Sequence, residues 1–230
     1  MLSQIDLGSG ISSLSLLDLR PKPLSLQSHL RRPTLLEHNG GTWQGQFIRL
    51  DGSGREIERF ASQLEVADRD GTVHADLTNC STGNVRSMQF REPPSEMQIS
   101  AAGHWSLGPD RIGPWPWVCE LCLVWGDQRR RIVVRHHSSG LESLVLVTEG
   151  RPGAVPEPPA APLLLTPDSE GPHQQRWTLE QQPRVSATTM AHRTAGMPER
   201  VSLHWQPQPG VELSFSRSYS EHGLLLDADG

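Results

Sequence analysis

Cysteine is scarce in this chain: with three in 230 residues, any pairing leaves one over, which argues against a disulfide framework. Long apolar runs are missing as well. No stretch approaches the roughly 20 residues that a membrane-spanning helix needs. The opening stretch MLSQIDLGSGISSLSLLDLR has no basic start and carries Asp6 and Asp18, so it does not read as a secretory signal. Positive charge is not in excess either. A net charge of −5 speaks against a general nucleic-acid binder, since such domains are usually basic. The expectation is a soluble, cytoplasmic protein in a reducing compartment, with no membrane span and no nucleic-acid partner.

Catalytic signatures are also lacking. There is no Gly-x-Ser-x-Gly elbow, no His-Glu-x-x-His, no phosphate loop and no dinucleotide fingerprint. That counts against an ordinary hydrolase or transferase, and no cofactor is expected. Cys119 and Cys122 form a Cys-x-x-Cys pair, but they fall in a predicted strand, where positions three apart point to opposite faces. With no second pair to complete four ligands, Cys119 reads as a core residue and Cys122 as one of the outer face. His136 and His137 alternate likewise and cannot chelate one ion. Glu56 and Glu58 read as a solvated strand face.

What the chain has in quantity is turns: 21 glycines and 19 prolines, against a hydrophobic share of 35%. Residues 1–40 mix Ser, Leu and Pro. Their first twenty are expected to be mobile, with one short helix before Pro33 and a stop at Asn39-Gly40. From Gly41 the pattern changes to short strands between Gly, Asn, Asp and Pro turns, with Asp70-Gly71 a strong hairpin signal. The most apolar run, WPWVCELCLVW, sets Trp117, Cys119, Leu121, Leu123 and Trp125 on one face and Glu120 on the other. It is followed by RRRIVVRHH and LESLVLVTE. Eight or nine strands at close spacing predict an all-β antiparallel barrel over residues 41–150. Residues 151–162 form a Pro-rich linker. Residues 163–230 hold four or five further strands, the last in GLLLDA, as a partial second sheet or a truncated second barrel.

The segment GTWQG, from Gly41 to Gly45, suits the closed end of a barrel. Small residues let neighbouring backbones approach, and one large aromatic, Trp43, plugs the end. The segment is similar to the Gly-x-Trp opening of lipocalins, fatty-acid-binding proteins and related barrels (the calycins). With the Arg-rich strand and an apolar final strand closing on Glu149 and Arg151, residues 38–151 resemble a lipocalin-like domain family of unassigned function found in cyanobacteria and chloroplasts. That resemblance implies that an arginine of the late strand packs over Trp43, with Arg129, Arg130 and Arg131 as candidates.

An eight-stranded barrel is either filled by side chains or lined around one small ligand. The expected ligand is hydrophobic: a fatty acid, an isoprenoid or a tetrapyrrole pigment. Trp43 would close the base, and Phe60, Leu64, Cys119, Leu121 and Leu123 would line the interior. Trp105, Trp115, Trp117 and Trp125 add aromatic surface near it. Along RRRIVVRHH either the arginines point inward, so that Arg131 and Arg135 anchor a ligand carboxylate, or Ile132 and Val134 do. Fatty-acid-binding proteins hold their ligand's acid with a late-strand arginine, so the resemblance allows the first arrangement. A haem-binding barrel would need one inward histidine, for which His104 and His136 are open choices. Two other functions stand beside the carrier: a bilin chromophore lyase or chaperone for phycobiliproteins, and a protein-interaction or assembly factor whose filled barrel offers an edge strand.

Overall fold

A computed structural model describes residues 28–138, 140–170, 173–192 and 196–228. The mobile start expected for the first twenty residues lies outside them. One helix, α1 (Ser28–Asn39), leads into nine strands: β1 (Gly41–Asp51), β2 (Glu56–Arg69), β3 (Thr72–Asn79), β4 (Val85–Phe90), β5 (Gln98–Ile99), β6 (Trp105–Leu107), β7 (Trp117–Trp125), β8 (Gln128–His137) and β9 (Gly140–Gly150). They form one antiparallel sheet in the order β4-β3-β2-β1-β9-β8-β7-β6-β5, curled into a half-barrel. A second sheet of five strands follows: β10 (Asp168–Ser169), β11 (Gln174–Gln181), β12 (Arg184–Met190), β13 (Glu199–Gln208) and β14 (Val211–Tyr219). The fold is thus all-β and antiparallel, with an additional C-terminal sheet.

Local chemistry explains several of these elements. At the β2–β3 turn Asp70 (φ 53°) and Gly71 (φ 78°) both adopt left-handed conformations, the pair that an Asp-Gly hairpin supplies at least cost. The helix runs through Pro33 rather than stopping before it. Proline removes one N–H from the ladder, but tertiary bonds hold the helix's far end. Asn39 donates to the Gly103 carbonyl at 3.0 Å, and its own carbonyl accepts the Trp43 indole N–H at 2.9 Å. The stop at Gly40 is as expected, its N–H donating to the Leu36 carbonyl at 2.8 Å. Residues 151–162 form no strand and return across the start of β2. There Arg59 donates to the carbonyls of Pro159 and Ala161, and Glu56 accepts the Leu163 N–H at 2.7 Å. The expected GLLLDA strand does not form. Leu224 and Leu225 make only isolated bridges to Arg111 and Tyr219.

The half-barrel is buried on both faces, by different partners. Its convex face contributes Ile48, Leu50, Cys119, Leu121, Leu123, Ile132, Val134, Leu144 and Leu146 to one core, shared with Trp177, Val185, Leu203, Trp205 and Phe215 of the second sheet. Its concave face gathers Trp43, Leu64, Val66, Val73, Trp105, Cys122 and Val124, with Met97, Ile99 and Leu35 of α1. This corrects two expectations. Cys119, Leu121 and Leu123 do not line the barrel interior but pack against the second sheet. Cys122 is no outer-face residue; it is fully buried on the concave side. The run WVCELCLVW is apolar on both faces, so alternation alone gave no sign of which face met which partner.

Candidate functional site

The closed end of the half-barrel is built around Trp43, which is wholly buried. The guanidinium carbons of Arg129 and Arg151 lie 4.3 and 3.9 Å from the centre of its ring, cation–π contacts made stronger by burial. Two of the late-chain arginines therefore cover the tryptophan, and Arg130 is not one of them. Arg130 faces the other way, where it binds both carboxylate oxygens of Glu180 at 3.0 Å. Gly45 has its own reason. A Cβ there would collide with the Thr148 carbonyl and lie 2.8 Å from both Cα and Cγ of Glu149, so only glycine lets β1 approach the β9 backbone this closely.

Glu149 is the hub of an ion cluster on the concave face. It accepts from Nε of Arg129 at 2.6 Å and from Nε and Nη2 of Arg131, both at 2.9 Å. The remaining nitrogen of Arg131 donates to Glu120 of β7. Burial by itself would raise the Glu149 carboxyl, but the two arginines outweigh it and hold its pKa at about 2. Burial works against the charge of Arg131 too, and its two glutamates more than offset that, raising its pKa. Within the cluster two positive charges meet two negative ones, with every nitrogen of Arg131 engaged.

Above this floor lies a cavity of about 380 Å³. Its walls are apolar: Leu64 and Val66 of β2, Ala75 and Leu77 of β3, Met97, and Trp105 of β6. Arg86 and Met88 of β4 border it on one side and Trp105 and Leu107 of β6 on the other. A second hollow, at the end of β1 away from Trp43, shares Phe47, Leu77, Arg86 and Val133 with it and adds Phe60 and the exposed Arg49, Glu58 and Arg135, so this end is the mouth. Phe47 and Phe60 stack there with ring centres 5.0 Å apart.

Of the residues singled out from sequence, Trp43, Leu64, Phe60 and Arg131 lie on this concave side, Arg131 in the floor and Phe60 near the mouth. Arg135 is exposed at the mouth, 4.0 Å from Glu142. Trp105 lines the cavity. Trp117 stacks on His136 in the inter-sheet core with ring centres 4.4 Å apart, and Trp115 and Trp125 are exposed. Both candidate histidines are buried and partnered. His104 Nδ1 accepts the Val124 N–H at 3.2 Å, and His136 Nε2 sits 2.9 Å from the Thr189 hydroxyl. Burial lowers the pKa of each to about 4, with His38 adding to the effect at His104. Burial likewise pushes both buried thiols up to about 12. Among the described residues no cluster of three or more metal-ligating side chains occurs, and no helix is long and apolar enough to cross a membrane.

Sequence reasoning missed Asn39, whose side chain links Trp105 (3.1 Å) to the Gly103 carbonyl, and Arg86. The Asn39-Gly40 signal marks a helix stop, but nothing local marks the Asn39 side chain as a tertiary link. The alternation of Arg86, Met88 and Phe90 in VRSMQF was the available sign for Arg86.

The fold is similar to that of a crystal structure of a protein of unknown function from the DUF3598 family of Nostoc punctiforme. The TM-score is 0.66 at 18% identity, over 84% of this chain and 94% of that one. The likeness is one of fold. No family model matches the chain, and no curated protein matches it.

Proposed function

We propose that this chain is a soluble, cytoplasmic carrier of the lipocalin-like kind found in cyanobacteria and chloroplasts, holding one hydrophobic small molecule in the concavity of its half-barrel. One observation carries the reading: a cavity of about 380 Å³ with apolar walls over a floor whose charges are internally paired. Cavities of that size, mostly apolar with a few placed polar groups, are the usual form of small-molecule sites. The ligand class is a fatty acid, an isoprenoid or a tetrapyrrole, with Leu64 and Trp105 as walls, Arg131 in the floor, Phe60 in the adjoining hollow and Trp43 buried at the closed end. Native mass spectrometry of protein made in a photosynthetic host, with an absorbance spectrum of its solvent extract, tests this. A stoichiometric extra mass that leaves on denaturation supports the carrier. Covalent transfer of a pigment to an acceptor cysteine would make it a lyase instead.

A second reading has one observation in its favour. β4 is an edge strand whose Val85 and Met88 are exposed at 57% and 49%, a surface on which a partner strand can pair. A clean apo mass, with β4 amides protected from exchange only when a partner is added, would favour it.

A further inference from the structure

The concave face sorts its charges by depth. At the floor, Arg131 spends all three nitrogens on Glu149 and Glu120. Arg129 is about 1% exposed, with Nε on Glu149 and its guanidinium over the Trp43 ring. A ligand carboxylate brought there would find one unengaged nitrogen, Nη2 of Arg129, but would lie against the carboxylates of Glu149 and Glu120. Like charges forced together in a low-dielectric site are costly, so the floor rejects an anion. The mouth is different. Arg49 is paired with Glu58 at 3.2 Å and Arg135 loosely with Glu142 at 4.0 Å. Arg86 projects from β4 into both hollows and has no ion-pair partner among the described residues. Asn79, Thr82 and Asn84 stand beside it as neutral polar groups. Positive charge is thus in excess by one at the rim, where water and ligand reach it.

We propose that the ligand is an anionic amphiphile that enters tail first and leaves its head at the mouth, on Arg86 with Arg49 and Arg135 beside it. This rests on the carrier reading and adds the ligand's chemical class and its direction. The late-strand arginine that first suggests itself, Arg131, is a floor group, and the recognition of charge passes to an edge strand. A free carboxylate and a phosphate monoester share the chemistry that Arg86 recognises.

The test is equilibrium binding of dodecanoate, dodecyl phosphate and 1-dodecanol to the full chain, its Arg86→Gln variant and its Glu120→Gln variant. In wild type at least one anion binds more tightly than the alcohol, and the stronger of the two identifies the head group. Arg86→Gln weakens the anions about tenfold, the usual worth of a charge-assisted hydrogen bond, and leaves dodecanol unchanged. High salt applied to wild type acts in the same direction, since a rim charge is screened. Glu120→Gln, which frees a nitrogen of Arg131 on the floor, leaves the ratio of anion to alcohol affinity unchanged, because no head group reaches that depth. If Arg86→Gln lowers acid and alcohol equally, or lowers neither, the head is not at the rim and the proposal fails, while the carrier reading stands. A rise in anion affinity relative to dodecanol in Glu120→Gln would place the head on the floor and overturn it too. If none of the three binds wild type, the amphiphile proposal fails, and the extra mass sought by native mass spectrometry decides the carrier reading separately.

Discussion

Glu149 shows how one side chain sets the character of the closed end. It is fully buried and holds two buried arginines, beside the close approach of the β9 backbone that Gly45 permits. Breaking a buried ion network by removing one partner costs about 3–5 kcal/mol, because the charges left behind remain desolvated. Glu149→Gln should therefore lower stability by about that amount, read from the denaturant midpoint; a loss below about 1 kcal/mol would mean that the arginines find other partners. Some of this was legible in advance. The small-aromatic-small pattern of GTWQG marked the closed end, and the late arginines were the right place to look for the residue over Trp43. The choice of Arg129 was not legible, because three consecutive arginines alternate between faces and only the neighbouring sheet says which face is which. The second covering residue, Arg151, was visible only as the end of a resemblance.

At the scale of elements, β7 and β8 turn one face to the second sheet and the other to the cavity. Cys119, Leu121 and Leu123 of β7, with Ile132 and Val134 of β8, are committed to the core between the sheets. Glu120, Arg129 and Arg131 face the cavity. Leu121→Ala should cost about 2–5 kcal/mol, the usual range for truncating a buried leucine, yet leave ligand affinity within about twofold because the cavity loses no wall. A melting curve beside a binding titration checks both halves; a matching fall in affinity would put Leu121 back in the interior. Strand existence was readable here because turn residues punctuate every hairpin, Asp70-Gly71 above all. Strand orientation was not. A strand apolar on both faces carries no alternation to orient it, and the sheet that claims its second face lies some fifty residues further on. Helix α1 was underestimated for a related reason: Pro33 weakens it locally, while the bonds from Asn39 to Gly103 and Trp43 are invisible to local propensity.

For the whole molecule, two cores on opposite faces of one sheet mean that acid should dismantle it in a defined way. In the unfolded chain His104 and His136 take up a proton near pH 6.5, whereas in the native state neither does so until about pH 4. Between those values the unfolded chain holds more protons, so stability falls as the pH falls, by up to roughly 3 kcal/mol for each ring. Glu149 extends the loss below its ordinary 4.5, since its native carboxyl stays ionised to about 2. The thermal midpoint should therefore drop steadily from pH 7 to pH 4, and His136→Gln should flatten that stretch of the curve. An unchanged slope in the variant would show that His136 does not set it. The convex core holds the molecule together, and the concave cavity is the proposed seat of the ligand. Ala75 faces that cavity from the middle of β3, and a tryptophan there would fill it without touching the core between the sheets. The most direct measurement is a calorimetric titration of wild type and Ala75→Trp with 1-dodecanol, a neutral probe indifferent to where a head group sits. The account predicts saturable one-to-one binding by wild type and its loss in Ala75→Trp, with circular dichroism and melting temperature retained. Equal binding by a folded Ala75→Trp would show that the hydrophobic molecule, if one is carried, lies somewhere other than the half-barrel.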